Sequence, residues 1–232
     1  YVGKKKYKSA LQLTPGIKGF LISCNVEQKA TREALNILNE YSDGIIMESY
    51  EDTKSLSEPI DAMERQSDDI RELDNRFQVI DTKCKNLIFI KSSVIDPMKL
   101  VDTIFEDILS KNIVKARFCQ RFYPVISSSH CNITSIEKKF NEFFIPMLIE
   151  RYPTPQKYSV IVKFRNSEQN KKEIKNKIED ILCEKIPHFI CSNILCDFSI
   201  SFVIIRNVCL MSLLNNYQKF KKYNINNLSE ME

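Results

Sequence analysis

The chain has 232 residues, 43% of them hydrophobic and 28% charged, and a net charge of +4. That is the make-up of one large or two small globular domains, not of a disordered or fibrous chain. No apolar run approaches the roughly 18 residues that span a bilayer, and Tyr1-Val2-Gly3-Lys4-Lys5-Lys6 has no apolar stretch behind it, so neither a membrane span nor a signal peptide is expected.

The first strand is expected at Gly19-Phe20-Leu21-Ile22-Ser23-Cys24. Ala30, Ala34, Ile37, Leu38 and Tyr41 then recur at helical spacing over 28–41, with Asp43-Gly44 as the stop. Ile45-Ile46-Met47 reads as a second strand and Asn86-Leu87-Ile88-Phe89-Ile90 as a third. Between them, across an insert at 51–85, Leu56, Met63, Ile70 and Phe77 recur every seven residues and predict an acidic amphipathic helix. Asp96-Pro97 is an N-cap with proline at the first helical position, followed by an apolar face of Leu100, Val101, Ile104, Phe105, Ile108 and Leu109. Lys115 to Tyr123 reads as a fourth strand ended by Pro124, completing a β-α-β-β-α-β order, that of a ferredoxin-like split βαβ unit.

The second half has another order. Ser127-Ser128-Ser129 implies a loop, and Ile136, Phe140, Phe143, Phe144, Met147 and Leu148 mark a helix that Pro153 and Pro155 break. Tyr158 to Phe164 alternates as a strand. Asn170 opens a helix carrying Ile174, Ile178, Ile181 and Leu182, on which Glu173 and Lys177 are spaced for a surface ion pair. Phe198 to Ile204 is a strand, and Arg206-Asn207 turns the chain into a last strand, Val208 to Leu214. The fold class expected is α+β, two α/β units in series.

Several chemistries have no residues to carry them. The four glycines are Gly3, Gly16, Gly19 and Gly44, so no phosphate loop, dinucleotide loop or pyrophosphate loop for acetyl-CoA can be written after residue 44. The two histidines are His130 and His188. His188 with Cys191, Cys196 and Cys183 is the best metal cluster available, but it lacks a C-x-x-C pair. His130-Cys131 are neighbours in the chain and do not face each other as a nucleophile and its base would. The eight cysteines are scattered, often within apolar runs, which fits reduced thiols of an intracellular protein, and on that ground the sequon Asn132-Ile133-Thr134 is coincidental. No catalytic group, cofactor or metal is expected.

Charge, by contrast, is sorted along the chain. Residues 51–75 hold nine acids and three bases, while residues 115–222 hold eighteen bases and nine acids. Four basic clusters stand out in the second stretch. Lys115, Arg117 and Arg121 share one face of the expected fourth strand, and Lys163 and Arg165, followed by Asn166, share a face of the next. Lys171, Lys172 and Lys175 lie in the first turns of a helix, where cations oppose the dipole unless an anion docks there. Tyr217-Gln218-Lys219-Phe220-Lys221-Lys222-Tyr223 interleaves bases with aromatic rings, as phosphate contact plus base stacking requires. A plainer role fits each cluster too: a solvated sheet face, a soluble helix surface, or a terminal segment docked through Tyr217, Phe220 and Tyr223.

The chain also resembles the eukaryotic THUMP-domain adaptor family required for tRNA N(4)-acetylcytidine formation. The resemblance is collinear over nearly the whole chain and strongest at 19–24, at Lys29-Ala30-Thr31-Arg32-Glu33-Ala34 and on to Glu40, at Arg76-Phe77-Gln78, at 86–90, at Arg117-Phe118-Cys119-Gln120-Arg121 and at Phe220-Lys221-Lys222-Tyr223-Asn224. It implies a ferredoxin-like domain over 15–122, a THUMP domain over 123–215 (in family terms beginning near 105) and a basic-aromatic tail over 216–232. It further implies that the partners are tRNA, gripped at its acceptor end, and an RNA cytidine acetyltransferase that modifies a D-arm cytidine of leucine and serine tRNAs, in the nucleus or nucleolus. Two other readings stay open: a protein-interaction module whose basic face meets an acidic protein or the chain's own insert, and a THUMP-containing tRNA-modification enzyme.

Overall fold

The computed structural model describes residues 11–54, 76–93, 96–167, 170–192 and 194–228, with the side chains of 45–54 left aside. Among the described residues no helix is long and apolar enough to cross a membrane. The predicted acidic helix lies, for residues 55–75, outside the described residues.

The first unit runs β1 (Gly19–Cys24), α1 (Glu27–Lys54), β2 (Phe77–Ile80), β3 (Leu87–Ser92), α2 (Pro97–Lys111) and β4 (Cys119–Val125). Its sheet has the order β2-β3-β1-β4, with every pair antiparallel. The expected β-α-β-β-α-β order is present, but two of its boundaries are corrected. The helix does not stop at Gly44, and Ile45-Ile46-Met47 is not a strand: α1 continues through both to Lys54. A glycine inside a helix costs only about 1 kcal/mol against alanine, which the rest of a long helix absorbs. The second strand lies instead at 77–80. The fourth strand begins at Cys119, not Lys115, and passes through Pro124 to Val125. Proline is tolerated there because β4 is an edge strand of its sheet.

Capping explains α2. Asp96 accepts the Met98 N–H at 3.0 Å, Pro97 sits in the first turn, and Asn112 closes the helix in the left-handed region at φ 49°. Gly19 is required at the start of β1: at its φ of 153° an added Cβ would overlap the Ile90 carbonyl oxygen.

The second unit runs β5 (Ser127–His130), α3 (Ile133–Lys139), a π-helical turn (Phe140–Phe144), α4 (Ile145–Arg151), β6 (Lys157–Arg165), α5 (Lys171–Lys185), β7 (Ile190–Cys191), β8 (Phe198–Ile205) and β9 (Val208–Asn215). The sheet order is β5-β9-β8-β6-β7, with β6 parallel to β7 and β8 and the other pairs antiparallel. Ser127-Ser128-Ser129 is therefore a strand rather than a loop, paired with Met211, Leu210 and Cys209. Arg206, at φ 55°, makes the expected turn between β8 and β9. Lys177 pairs with Glu137 of α3 at 3.1 Å, not with Glu173, and so links two helices.

Alternation along β8 and β9 divides the interior in two. Phe202, Ile204, Cys209, Met211 and Leu213 pack with α3, α4 and α5, including Phe140, Phe144, Ile178 and Leu182. Val203, Ile205, Val208, Leu210 and Leu214 join the core of the first unit. The segment after β9 enters that same core through Tyr217, Phe220, Tyr223, Ile225 and Leu228, all buried. It is tied to β4 by an antiparallel bridge between Arg121 and Asn224 and by the Ile225 N–H to the Gln120 carbonyl at 2.8 Å. The expected free tail over 216–232 is thus, for 217–228, a structural part of the first core.

Candidate nucleic-acid interface

Helices α1 and α2 cover one face of the first sheet, where Cys119 Sγ reaches the Ala30 carbonyl at 3.3 Å. By alternation Leu21, Ser23, Leu87, Arg121 and Tyr123 lie on the opposite face. There a cleft of about 560 Å³ opens against β6 and β8, floored by Leu21, Leu87 and Val203. Its cations are Lys85, Arg121, Lys163 and Arg165, its amides Asn25, Asn86 and Gln120, and its lining contains no carboxylate. Among the described residues no ion pair joins any of these cations.

Tyr123 organises the cleft. Its hydroxyl accepts from Arg121 Nη1 at 3.1 Å and from Lys163 Nζ at 2.9 Å, and the same ammonium stands 5.0 Å from its ring centroid. Burial pushes the phenol up, but Lys163 and Arg121 outweigh it and hold its pKa below the ordinary tyrosine value. Gln120 Nε2 donates to Asn25 Oδ1 at 2.7 Å, fixing two amides side by side. An acid-free, partly desolvated cluster of cations around a neutral oxygen is suited to binding an anion.

Of the residues predicted from sequence, the cleft brings together Arg121, Lys163 and Arg165. The others sit elsewhere. Lys115 is not on a strand face: it pairs with Glu40 at 2.5 Å and stands 5.1 Å from the Tyr41 ring centroid. Arg117 is exposed on the segment leading to β4, where the Glu33 carboxylate accepts the backbone N–H groups of Arg117, Phe118 and Cys119 at 2.8–3.3 Å. Asn166 is left-handed at φ 53° and donates to Cys84 Sγ at 3.4 Å.

Lys171 and Lys172 are exposed at the start of α5, but Asn170 already accepts the N–H groups of Lys172 and Glu173, and Lys175 faces Glu179 at 3.6 Å. The predicted anion dock at this helix start therefore has two of its donors occupied by the cap. Phe220 is corrected outright. It is 0% exposed, packed on Phe105 and Tyr223 at centroid distances of 5.3 and 5.4 Å, and offers no face to a base. Lys219, Lys221 and Lys222 do reach the surface around it, the last two from left-handed backbone at φ 48° and 60°. Sequence reading passed over Lys85, Asn25, Asn86 and Gln120, which carry no periodic or charge-cluster signal of their own. Among the described residues no group of three or more His, Cys, Asp or Glu side chains is placed to hold a metal.

Over 229 residues the chain is 29% identical to a human protein, matching 92% of this chain and 64% of that one. It is similar to THUMP domain-containing protein 1. The Bos taurus THUMP domain-containing protein 1 is likewise 29% identical, and the Drosophila melanogaster homolog is 28% identical over 271 residues, covering 97% of this chain and 79% of the fly protein. These likenesses support a THUMP relationship over most of the chain, which spans about 64% of the length of the human and bovine relatives. No protein-family model matches. Among solved structures the chain is similar to PH1313 from Pyrococcus horikoshii (TM-score 0.49, 11% identity, 87% of this chain and 56% of that one). A second likeness is to a 4-thiouridine synthetase–RNA complex (TM-score 0.44, 9% identity, 87% and 42%).

Proposed function

We propose that this chain is a THUMP protein that binds tRNA and presents it to a separate RNA cytidine acetyltransferase for N(4)-acetylcytidine formation in the D-arm, without catalytic activity of its own. In this reading residues 15–122 are a ferredoxin-like domain, 123–215 the THUMP domain, and the protein works in the nucleus or nucleolus. One observation carries the RNA-binding part: Lys85, Arg121, Lys163 and Arg165 converge in one cleft whose lining has no carboxylate. The adaptor role is supported by the similarity to THUMP domain-containing protein 1 and by the lack of glycine loops for nucleotide or acetyl-CoA.

Filter binding to total tRNA across a salt series tests it. Affinity is expected to fall steeply with salt, because each phosphate contact releases condensed counterions. The triple variant Arg121→Gln, Lys163→Gln, Arg165→Gln is expected to flatten the log–log slope by about 2, at roughly 0.7–0.9 per contact. A folded variant with unchanged slope and affinity would remove the cleft from the interface. Acetylcytidine formed from tRNA and acetyl-CoA by this chain alone would overturn the non-catalytic reading.

A further inference from the structure

The cations of the cleft are not laid out as a track. Lys85 comes from the turn before β3, Arg121 from β4, and Lys163 and Arg165 from β6, so they approach from both sheets and meet over one small volume. Arg121 and Lys163 donate to the same phenolic oxygen. A hydroxyl carries no charge, and it is a weak partner for two cations partly withdrawn from water.

A strand threading a groove presents its phosphodiesters one at a time, each with a single negative charge, and is matched by cations spaced along its path. A phosphate monoester is different: it carries close to two charges and three acceptor oxygens on one phosphorus atom. Only such a group accepts from several converging cations at one point. We infer that the cleft takes the terminal phosphate monoester of an RNA chain, with Arg121 and Lys163 turning from Tyr123 to its oxygens and Lys85 and Arg165 completing the charge. The paired amides of Asn25 and Gln120 then lie within the same cleft as neutral donors and acceptors for the adjoining ribose. This deepens the RNA-binding reading and rests on it.

The test uses one RNA sequence in three forms: with a 5′-monophosphate, with a 3′-monophosphate, and with hydroxyls at both ends. Each is titrated by fluorescence anisotropy against the full chain at fixed salt. One phosphorylated form is expected to bind at least roughly tenfold more tightly than the hydroxyl form, about 1.4 kcal/mol, and which one it is names the end. The preference is expected to fall below about twofold in Lys163→Gln and to persist in Lys138→Gln, a control that removes one charge from the exposed surface of α3. Arg165→Gln, at an exposed side chain, gives the same reading if the half-buried Lys163 proves necessary for folding. Equal binding of all three RNAs by the wild type, or a preference that survives both cleft variants, overturns the terminal-phosphate assignment and leaves RNA binding standing. Failure of all three to bind sinks the RNA-binding reading itself.

Discussion

Replacing Phe220 by alanine separates two roles that its neighbouring lysines make easy to confuse. The ring is fully buried and touches Phe105 and Tyr223. An aromatic side chain buries on the order of 150 Å² or more, which at about 25 cal/mol per Å² corresponds to roughly 4 kcal/mol. Alanine retains part of that, while the unfilled cavity and the lost ring contacts add to the deficit. Phe220→Ala is therefore expected to destabilise the fold by about 3–5 kcal/mol, a drop in Tm of roughly 6–20 °C for a chain of this size. Urea unfolding followed by far-ultraviolet circular dichroism reads the first figure, and calorimetry the second. RNA affinity, measured where the variant is still folded, should stay within about twofold. A variant that loses less than about 1 kcal/mol of stability yet binds RNA tenfold more weakly would refute the reasoning, because that is how a surface stacking platform behaves.

Two further substitutions test the scaffold. Glu33→Ala removes the acceptor for three backbone N–H groups at the entry to β4; allowing for water at this half-exposed site, a loss of about 2–3 kcal/mol is expected, with Glu33→Gln intermediate, and equal urea midpoints for all three proteins would exclude the role. Asp102 accepts from Asn215 Nδ2 at 3.1 Å, and burial outweighs its hydrogen bonds and raises its pKa. An acid whose folded pKa lies above its unfolded value favours the protonated form in the fold, so its contribution is fully present below the unfolded pKa near about 4 and is lost as pH rises through the folded value. Asp102→Asn should therefore gain stability relative to wild type between about pH 3 and pH 7, and a pH-independent or falling difference in urea midpoints would contradict this.

What could be read from the sequence followed the range of the interactions involved. Asp96-Pro97, the apolar face of α2 and the alternation of β8 are local patterns, and they place their elements correctly. Arg121, Lys163 and Arg165 were legible because a period of two assigns each to a sheet face and their net charge is high. The strand assigned to 115–118 was not correctable locally: the carboxylate that holds this stretch belongs to Glu33, 84 residues earlier in the chain from Arg117. Lys115 looked available only until Glu40 of α1 lay beside it. Tyr217, Phe220 and Tyr223 fitted stacking or docking equally well, and what decides between the two is Phe105 on α2. Ile45-Ile46-Met47 misled because an apolar run just after a glycine satisfies strand and helix rules alike.

The entry of residues 203–228 into the first core has a consequence for biosynthesis. The sheet that is translated first still lacks Phe220, Tyr223, Ile225 and Leu228, the side chains that complete its interior. Domains emerging from a ribosome usually settle one after another, amino-terminal unit first. Here the opening hundred or so residues stay unfinished until nearly the last codons have been read, so that a nascent chain stalled after β4 exposes apolar surface to chaperones and proteases. A premature stop anywhere before residue 228 therefore removes part of the oldest-made unit, and with it the support beneath Arg121.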